Sequence, residues 1–272
     1  MPGMDCKDYL EVERLKSASR VVVKIGTASL TYDTGRLNIG RIERLSAVLS
    51  DLCNMGKELI LVSSGAVSAG VAKLGLAERP DSVSGRQACA AVGQAELMQL
   101  YERVFAPYGR KIAQVLLTRD VISDPQRRAN AEATFGTLLG YGCLPIVNEN
   151  DTVSSDEIRF SGNDILSAYV ACLCKADLLV NFTDFDGMYD ADPRKNPDAR
   201  KIRHIPEVTE RELAFAGDAG SERGTGGMFA KLEAARIAAE CGVPMVICAG
   251  ADPAILRDIL DGRVTGTYIG PL

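Results

Sequence analysis

The sequence predicts an α/β fold, a three-layer αβα sandwich around a mainly parallel central sheet. Three observations carry this reading. Short aliphatic and β-branched runs such as Val21–Val23, Glu58–Val62 and Leu144–Val147 lack the core–surface alternation of a half-solvated sheet, so both of their faces are covered. Stretches with apolar residues at helical spacing separate these runs. Several runs end abruptly in Gly, Ser, Asn and Asp, at the strand ends where open α/β sheets meet ligands.

Taken in order, residues 1–19 read as an N-terminal extension, helical from Tyr9 to Lys16. VVVKIG, Val21–Gly26, is the first strand. Lys24 within it is unusual, because lysine is rarely buried without a partner. Either it snorkels from an edge strand, or its ammonium stands at the strand's C-terminal end to meet an anion; the Gly26-Thr27 amides favour the second. Ile42, Leu45, Leu49 and Leu52 mark a helix ended by Gly56. ELILV is the second strand, running into Ser63, Ser64 and Gly65, where a backbone can approach a ligand closely. No Gly-Lys-Ser/Thr follows, so this is not a P-loop, and Val62 two residues before Ser64 excludes a nucleophile elbow. Ser64 is therefore a binding hydroxyl.

A long helix covers about 84–105, Ile112–Leu117 is the third strand, and Pro125 opens the helix to Leu139. Leu144–Val147 is the fourth strand; Asn148, Glu149, Asn150 and Asp151 follow at once. Such amides and carboxylates accept from an ammonium and donate to a carboxylate, which suits a zwitterionic amino acid. Asn163 reads as the N-cap of the next helix, with Asp164 in its first turn. Asp177–Thr183 is the fifth strand, followed by a Gly-, Pro- and Asp-rich loop. Glu207–Phe215 reads as helical. The glycines before the helix at Met228, with Lys231 one turn in, form an anion cradle. Val243–Cys248, a helix capped by Asp252-Pro253, and a short strand at Thr267–Ile269 complete about seven strands. The nearest approach to a boundary lies around Lys175, giving two lobes on one sheet, 20–174 and 175–272.

The 272 residues are 46% hydrophobic, enough for a substantial core. The net charge of −5 argues against charge-driven nucleic-acid binding, so any phosphate site is built locally. No apolar run is long enough to span a membrane, and the N-terminus lacks a signal-peptide core, which together point to the cytoplasm. Eight cysteines without a CxxC pair read as buried, reduced thiols. His204 is the only histidine, which excludes a histidine-rich zinc site and disfavours a nucleophile–histidine triad.

Lys24 and Lys231, each beside glycines at an element end, are brought to one edge by a parallel sheet, with Asp164 between them in chain order. Two lysines flanking a migrating phosphoryl group would neutralise charge developing on its oxygens, and an aspartate accepting from both would hold them. No general base is evident. None is needed if the acceptor is a carboxylate, already ionised at neutral pH. The residues thus predict phosphoryl transfer from a nucleoside triphosphate to an amino-acid carboxylate.

The ordered motifs VVVKIGTASLT, LVSSGAV, AAVGQ, LLTRD, LPIVNENDTV, GND-x-LSA, TD-x-x-GMYDADPR, GTGGM-x-x-K and a final GT-x-I resemble the glutamate 5-kinase branch of the amino-acid kinase family, over nearly the whole chain from about residue 20. The resemblance implies that ATP phosphorylates the γ-carboxylate of L-glutamate, the first step of proline biosynthesis. It makes Lys24 and Lys231 the phosphate-stabilising lysines and Asp164 their organiser. Ser64, Asn148, Asp151 and Asn163 would bind glutamate. Thr183, Asp184, Thr225, Gly226, Gly227, Met228 and Lys231 would form the nucleotide site, with Mg²⁺ bridging ATP phosphates and few direct protein ligands. Feedback inhibition by proline, a homodimer or homotetramer, and hand-over of the acyl phosphate to γ-glutamyl phosphate reductase are further implications. Gly162 stands where relatives commonly carry aspartate before the Asn-Asp pair, and the chain ends at Leu272 without the C-terminal PUA domain of many relatives. A uridylate or acetylglutamate kinase, a dehydrogenase and a non-catalytic amino-acid sensor are the rivals. NENDTV argues against the first two kinases, and the missing GxGxxG after the first strand against the dehydrogenase.

Overall fold

The computed structural model describes residues 8–32, 34, 36–154, 160, 162–191, 193, 195–217 and 227–272. An eight-stranded sheet organises them. Its strands, in chain order, are β1 (Arg20–Ile25), β2 (Glu58–Ser63), β3 (Ile112–Leu117), β4 (Leu144–Glu149), β5 (Leu178–Thr183), β6 (His204–Ile205), β7 (Met245–Ala249) and β8 (Thr267–Ile269). Their spatial order is β3-β4-β2-β1-β5-β7-β8-β6. β1 to β5 and β7 run parallel, and β8 turns antiparallel against β7. The sheet grows outward from β1 to one side, then restarts with β5 on the other, so β1 marks the topological switch point.

Alternation along the strands divides the core. Val21, Val23 and Ile25 of β1 face α1 (Ile39–Asn54) and α3 (Val83–Phe105). Val22 faces the layer of α4 (Pro125–Gly140), α5 (Asn163–Leu173) and α7 (Met228–Glu240). Lys24, two residues on from Val22, points to the same side. Between α1 and α3 lies α2 (Ala66–Leu74), and α6 (Glu210–Gly217) precedes α7. A last helix, α8 (Ile255–Leu260), leads into the antiparallel strand β8.

Local chemistry accounts for the helix starts. Asn38 and Ser82 accept from the backbone N–H groups of Arg41 and Gly85, and Asp124 Oδ1 accepts from Gln126 and Arg127 ahead of α4. α2 and α3 cross at two glycines. A Cβ on Gly70 would stand 1.8 Å from Cys89 O, and one on Gly93 1.8 Å from Ala66 O. Gly93→Ala therefore forces the helices apart. We expect it to cost about 1–3 kcal/mol, read by thermal denaturation, and to displace the neighbouring Gln94, which bonds Asn148.

Three expectations change. Tyr9–Lys16 is not an α-helix: Leu10–Glu11 pairs with Arg263–Val264, and Glu13–Ser17 is a 3₁₀ helix whose Leu15 is buried. Val12 donates to Gly262 O, so tertiary packing sets this segment's conformation. Asn163 is not an N-cap; it is the first helical residue, after Gly162 at φ 123°. Cys172 and Cys241 are not reduced thiols but a disulfide with a Cα–Cα distance of 5.6 Å, across 69 residues of sequence. Cys89, Cys174 and Cys248 are buried and free, as expected. His204 is structural: its ring stacks on Tyr268 and its Nε2 lies 2.8 Å from Gly270 O.

Candidate active site

The C-terminal ends of β1, β2, β4 and β5 converge on one edge of the sheet. Lys24 and Asn181 stand opposite each other on adjacent central strands, and Asp164 comes from the first turn of α5 above them. Lys24 Nζ lies 2.7 Å from Asp164 Oδ1, and Lys231 Nζ, from the first turns of α7, lies 3.3 Å from Asp164 Oδ2. All three are nearly enclosed, with 6%, 2% and 6% of Lys24, Asp164 and Lys231 exposed. Lys24 thus sits on a central strand rather than snorkelling from an edge.

Burial pushes the Lys24 ammonium below its ordinary pKa; Asp164 opposes this and the Lys231 charge adds to it. For Asp164 burial acts upward, but Lys24 and Lys231 outweigh it, and the carboxyl is held below its usual range. Two ammonium groups share the Asp164 carboxylate in a low-dielectric site. A Cβ at Gly26 would stand 3.4 Å from Lys24 Nζ, so glycine keeps that side of the ammonium clear.

Asn181 is a member of the site that sequence reasoning missed. Its Nδ2 donates to Asp164 Oδ1 at 2.6 Å, and its Oδ1 is buried without a partner. An orphaned buried acceptor costs about 1–3 kcal/mol. The signal was present in DLLVNFT, one amide in an otherwise apolar strand, but its cross-strand neighbour Lys24 is visible only in the register.

A second cluster adjoins the first. Asn163 Nδ2 faces Ser63 O, Ser64 Oγ and Asn148 Oδ1 at 3.1, 2.9 and 2.9 Å. Asn148 Nδ2 donates to Gln94 of α3, and Asn148 Oδ1 also accepts from Glu149 N. Asn148 is thus engaged at both ends and holds Asn163 in place. Asn163 keeps its Oδ1 for a donor, and Ser64 keeps its hydroxyl proton for an acceptor. Gly65, at φ 101°, makes the turn from Ser64 into α2 in a conformation that favours glycine. Asp151 lies half-buried in the turn after β4. Glu149 turns inward, where its Oε1 accepts from Ser154 Oγ and Phe160 N.

On the other flank, Thr183 ends β5 and donates to Asp184 Oδ1 at 2.9 Å, while Thr183 O accepts from Gly250 N at the end of β7. Gly227 caps α7 and Met228 opens it. Thr225 and Gly226 lie outside the described residues. Among the described residues no group of three or more His, Cys, Asp and Glu side chains could hold a metal ion.

The model of the amino acid kinase family matches residues 19–249. A glutamate 5-kinase from Clostridium perfringens is 50% identical over 257 residues, 93% of this chain and 96% of that protein. One from Symbiobacterium thermophilum is 51% identical over 255 residues, 94% and 97% of the respective chains. Among solved structures, carbamate kinase from Giardia lamblia bound to AMP-PNP aligns with a TM-score of 0.66 at 14% identity, over 94% of this chain and all of that one, a likeness of fold. The match over residues 19–249, most of its length, makes this chain, with its Lys24–Asp164–Lys231 cage at the switch point, a member of the amino acid kinase family.

Proposed function

We propose that this chain transfers the γ-phosphoryl group of ATP to the γ-carboxylate of L-glutamate, giving ADP and γ-glutamyl phosphate for proline biosynthesis. The observation that carries it is the buried cage of two lysines on one aspartate, in a chain about half identical to glutamate 5-kinases along nearly their full length. The γ-carboxylate attacks in line. Lys24 and Lys231 neutralise charge on the transferring oxygens, and Asp164, braced by Asn181, fixes both ammonium groups before substrate arrives. The acceptor is already an anion, so no side chain removes a proton.

Ser64 and Asn163 suit the amino acid: a hydroxyl that donates to a carboxylate and an amide oxygen that accepts from an ammonium. Asp151 adds a carboxylate near the ammonium, and Asn148 positions Asn163. Thr183, Asp184 and the Thr225–Lys231 segment hold the nucleotide, so the lobe 20–174 carries the acceptor and 175–272 the donor. Mg²⁺, when bound, would supply charge neutralisation to the ATP phosphates. Both Asp164 oxygens are taken by cations and Asn181, so Asp164 would serve the lysines rather than the metal. We assign the enzyme to the cytoplasm; no described helix is long and apolar enough to cross a membrane. It works as a dimer or tetramer, passes its labile product to γ-glutamyl phosphate reductase, and is inhibited by proline, whose α-carboxylate and amine mimic those of glutamate.

Hydroxylamine traps an acyl phosphate as a hydroxamate. With ATP and Mg²⁺, glutamate should give hydroxamate while aspartate and N-acetylglutamate give none, and UMP should release no ADP. A signal from another acceptor without one from glutamate overturns the assignment. A pH profile tests Lys24. Its lowered pKa means that the proton leaves at lower pH, so kcat/KM should fall on an alkaline limb centred below the ordinary lysine value of 10.5. A limb at or above that value contradicts the cage as described.

A further inference from the structure

The Cys172–Cys241 disulfide lies outside the reaction, yet it joins the two helices that carry it. Cys172 is the penultimate residue of α5, and Cys241 is the C-cap of α7. At the other ends of the same helices, Lys231 meets Asp164 at 3.3 Å. The helices therefore run side by side in one direction, tied by an ion pair at one end and a covalent bond at the other. Small residues, Ala168, Ala171, Ala235 and Ala238, are buried between these ties. Cys241 is exposed and Cys172 partly so, which leaves the bond open to small thiols.

We propose that Cys172 and Cys241 are a reversible redox modification site, whose state sets how firmly Lys231 is held against Asp164. Oxidation proceeds by exchange with a low-molecular-weight disulfide such as glutathione disulfide. The Cys241 thiolate attacks one of its sulfurs, forming a mixed disulfide and releasing one small thiolate. The Cys172 thiolate then attacks the Cys241 sulfur and releases the second. The two protein thiols lose two protons and two electrons, and the small disulfide takes them up. Cys174 does not compete: it is buried, which pushes its thiol up to about 12. The Lys231 contact is the longer of the two to Asp164, so it is the one that responds when α7 is released.

The full-length protein is equilibrated in glutathione buffers of graded oxidation, quenched with acid, alkylated and mapped by peptide mass, with melting and kinetics on the same samples. We expect the linked 172–241 peptide under oxidising conditions and both thiols alkylated under reducing ones. Reduction should lower Tm by roughly 5–10 °C, from the loss of a long closed loop. It should also lower kcat by roughly three- to tenfold with KM for the amino acid within twofold. Cys241→Ser, at an exposed position, should show the reduced Tm and kcat in every buffer. Free thiols at both positions in excess glutathione disulfide overturn the proposal. So does a glutathione adduct without the cross-link, or an oxidised form with the reduced form's Tm and kcat. The kinetic arm rests on the kinase reading; the mapping and melting arms do not, so a failure of that reading is distinguishable.

Discussion

Lys24→Met lowers kcat for phosphoryl transfer by about 10³-fold or more while leaving the fold intact, measured as ADP release at saturating substrates. The ammonium it removes is enclosed beside the Asp164 carboxylate, so neither water nor a neighbouring side chain replaces it during transfer. Stability should barely change. Burying Lys24 opposes its own charge, and a methionine fills the same space without that cost. Asp164 keeps Lys231 and Asn181 as partners. A Tm within about 3 °C of wild type, with activity gone, separates a chemical role from a structural one. Activity within a few-fold of wild type would remove Lys24 from the mechanism. Lys231→Met should behave alike, and the double variant should lose little more than either single one, because the two act on one phosphoryl group.

Asp164→Ala has the opposite balance. It leaves two enclosed ammonium groups facing each other without the carboxylate between them, which should cost about 3–5 kcal/mol and lower Tm by about 10 °C. Activity falls as well, since nothing then fixes the lysines. The pH dependence supplies an independent check. In wild type the Asp164 pKa is depressed in the folded state, so its contribution is present above the unfolded value near 3.8 and is lost as pH falls through the folded value. In the alanine variant that acid-side loss disappears. Lys24 then dominates: its folded pKa lies below the unfolded 10.5, so stability rises with pH up to that value. Removing Asp164 lowers the folded pKa further, so the rise begins at lower pH. Melting curves between pH 7 and pH 10 that run parallel for the two proteins would contradict this account.

The strands and the site's outline were legible because each depends on contiguous chain. Buried parallel strands announce themselves as largely apolar runs, and β1, β2, β4 and β5 lie where those runs do; β3, the partly exposed edge strand, lies where its own run does despite Gln114. Lys24, Asp164 and Lys231 stood out as charged residues beside glycines or at helix starts, and the structure brings them together. What escaped depends on contacts distant in sequence. Asn181 reads as a strand residue until β5 is laid against β1. Asn163 has the chemistry of a cap, but Gly162 takes the turn and frees its amide for Ser64 and Asn148. The N-terminal segment has a weak helical pattern that loses to pairing with Arg263–Val264. Cys172 and Cys241 look like two more apolar thiols until α5 and α7 lie side by side.

The position of β1 at the switch point bears on how the molecule is made. Its neighbour β2 leaves the ribosome soon afterwards, whereas β5, on its other side, follows only after three further strands, and Lys231 later still. At about 5–20 residues per second, the half-built sheet waits on the order of 10 s with one flank of its central strand open. During that interval Lys24 has no counter-charge, so nascent chains stalled before Asp164 should be the ones that chaperones bind most readily.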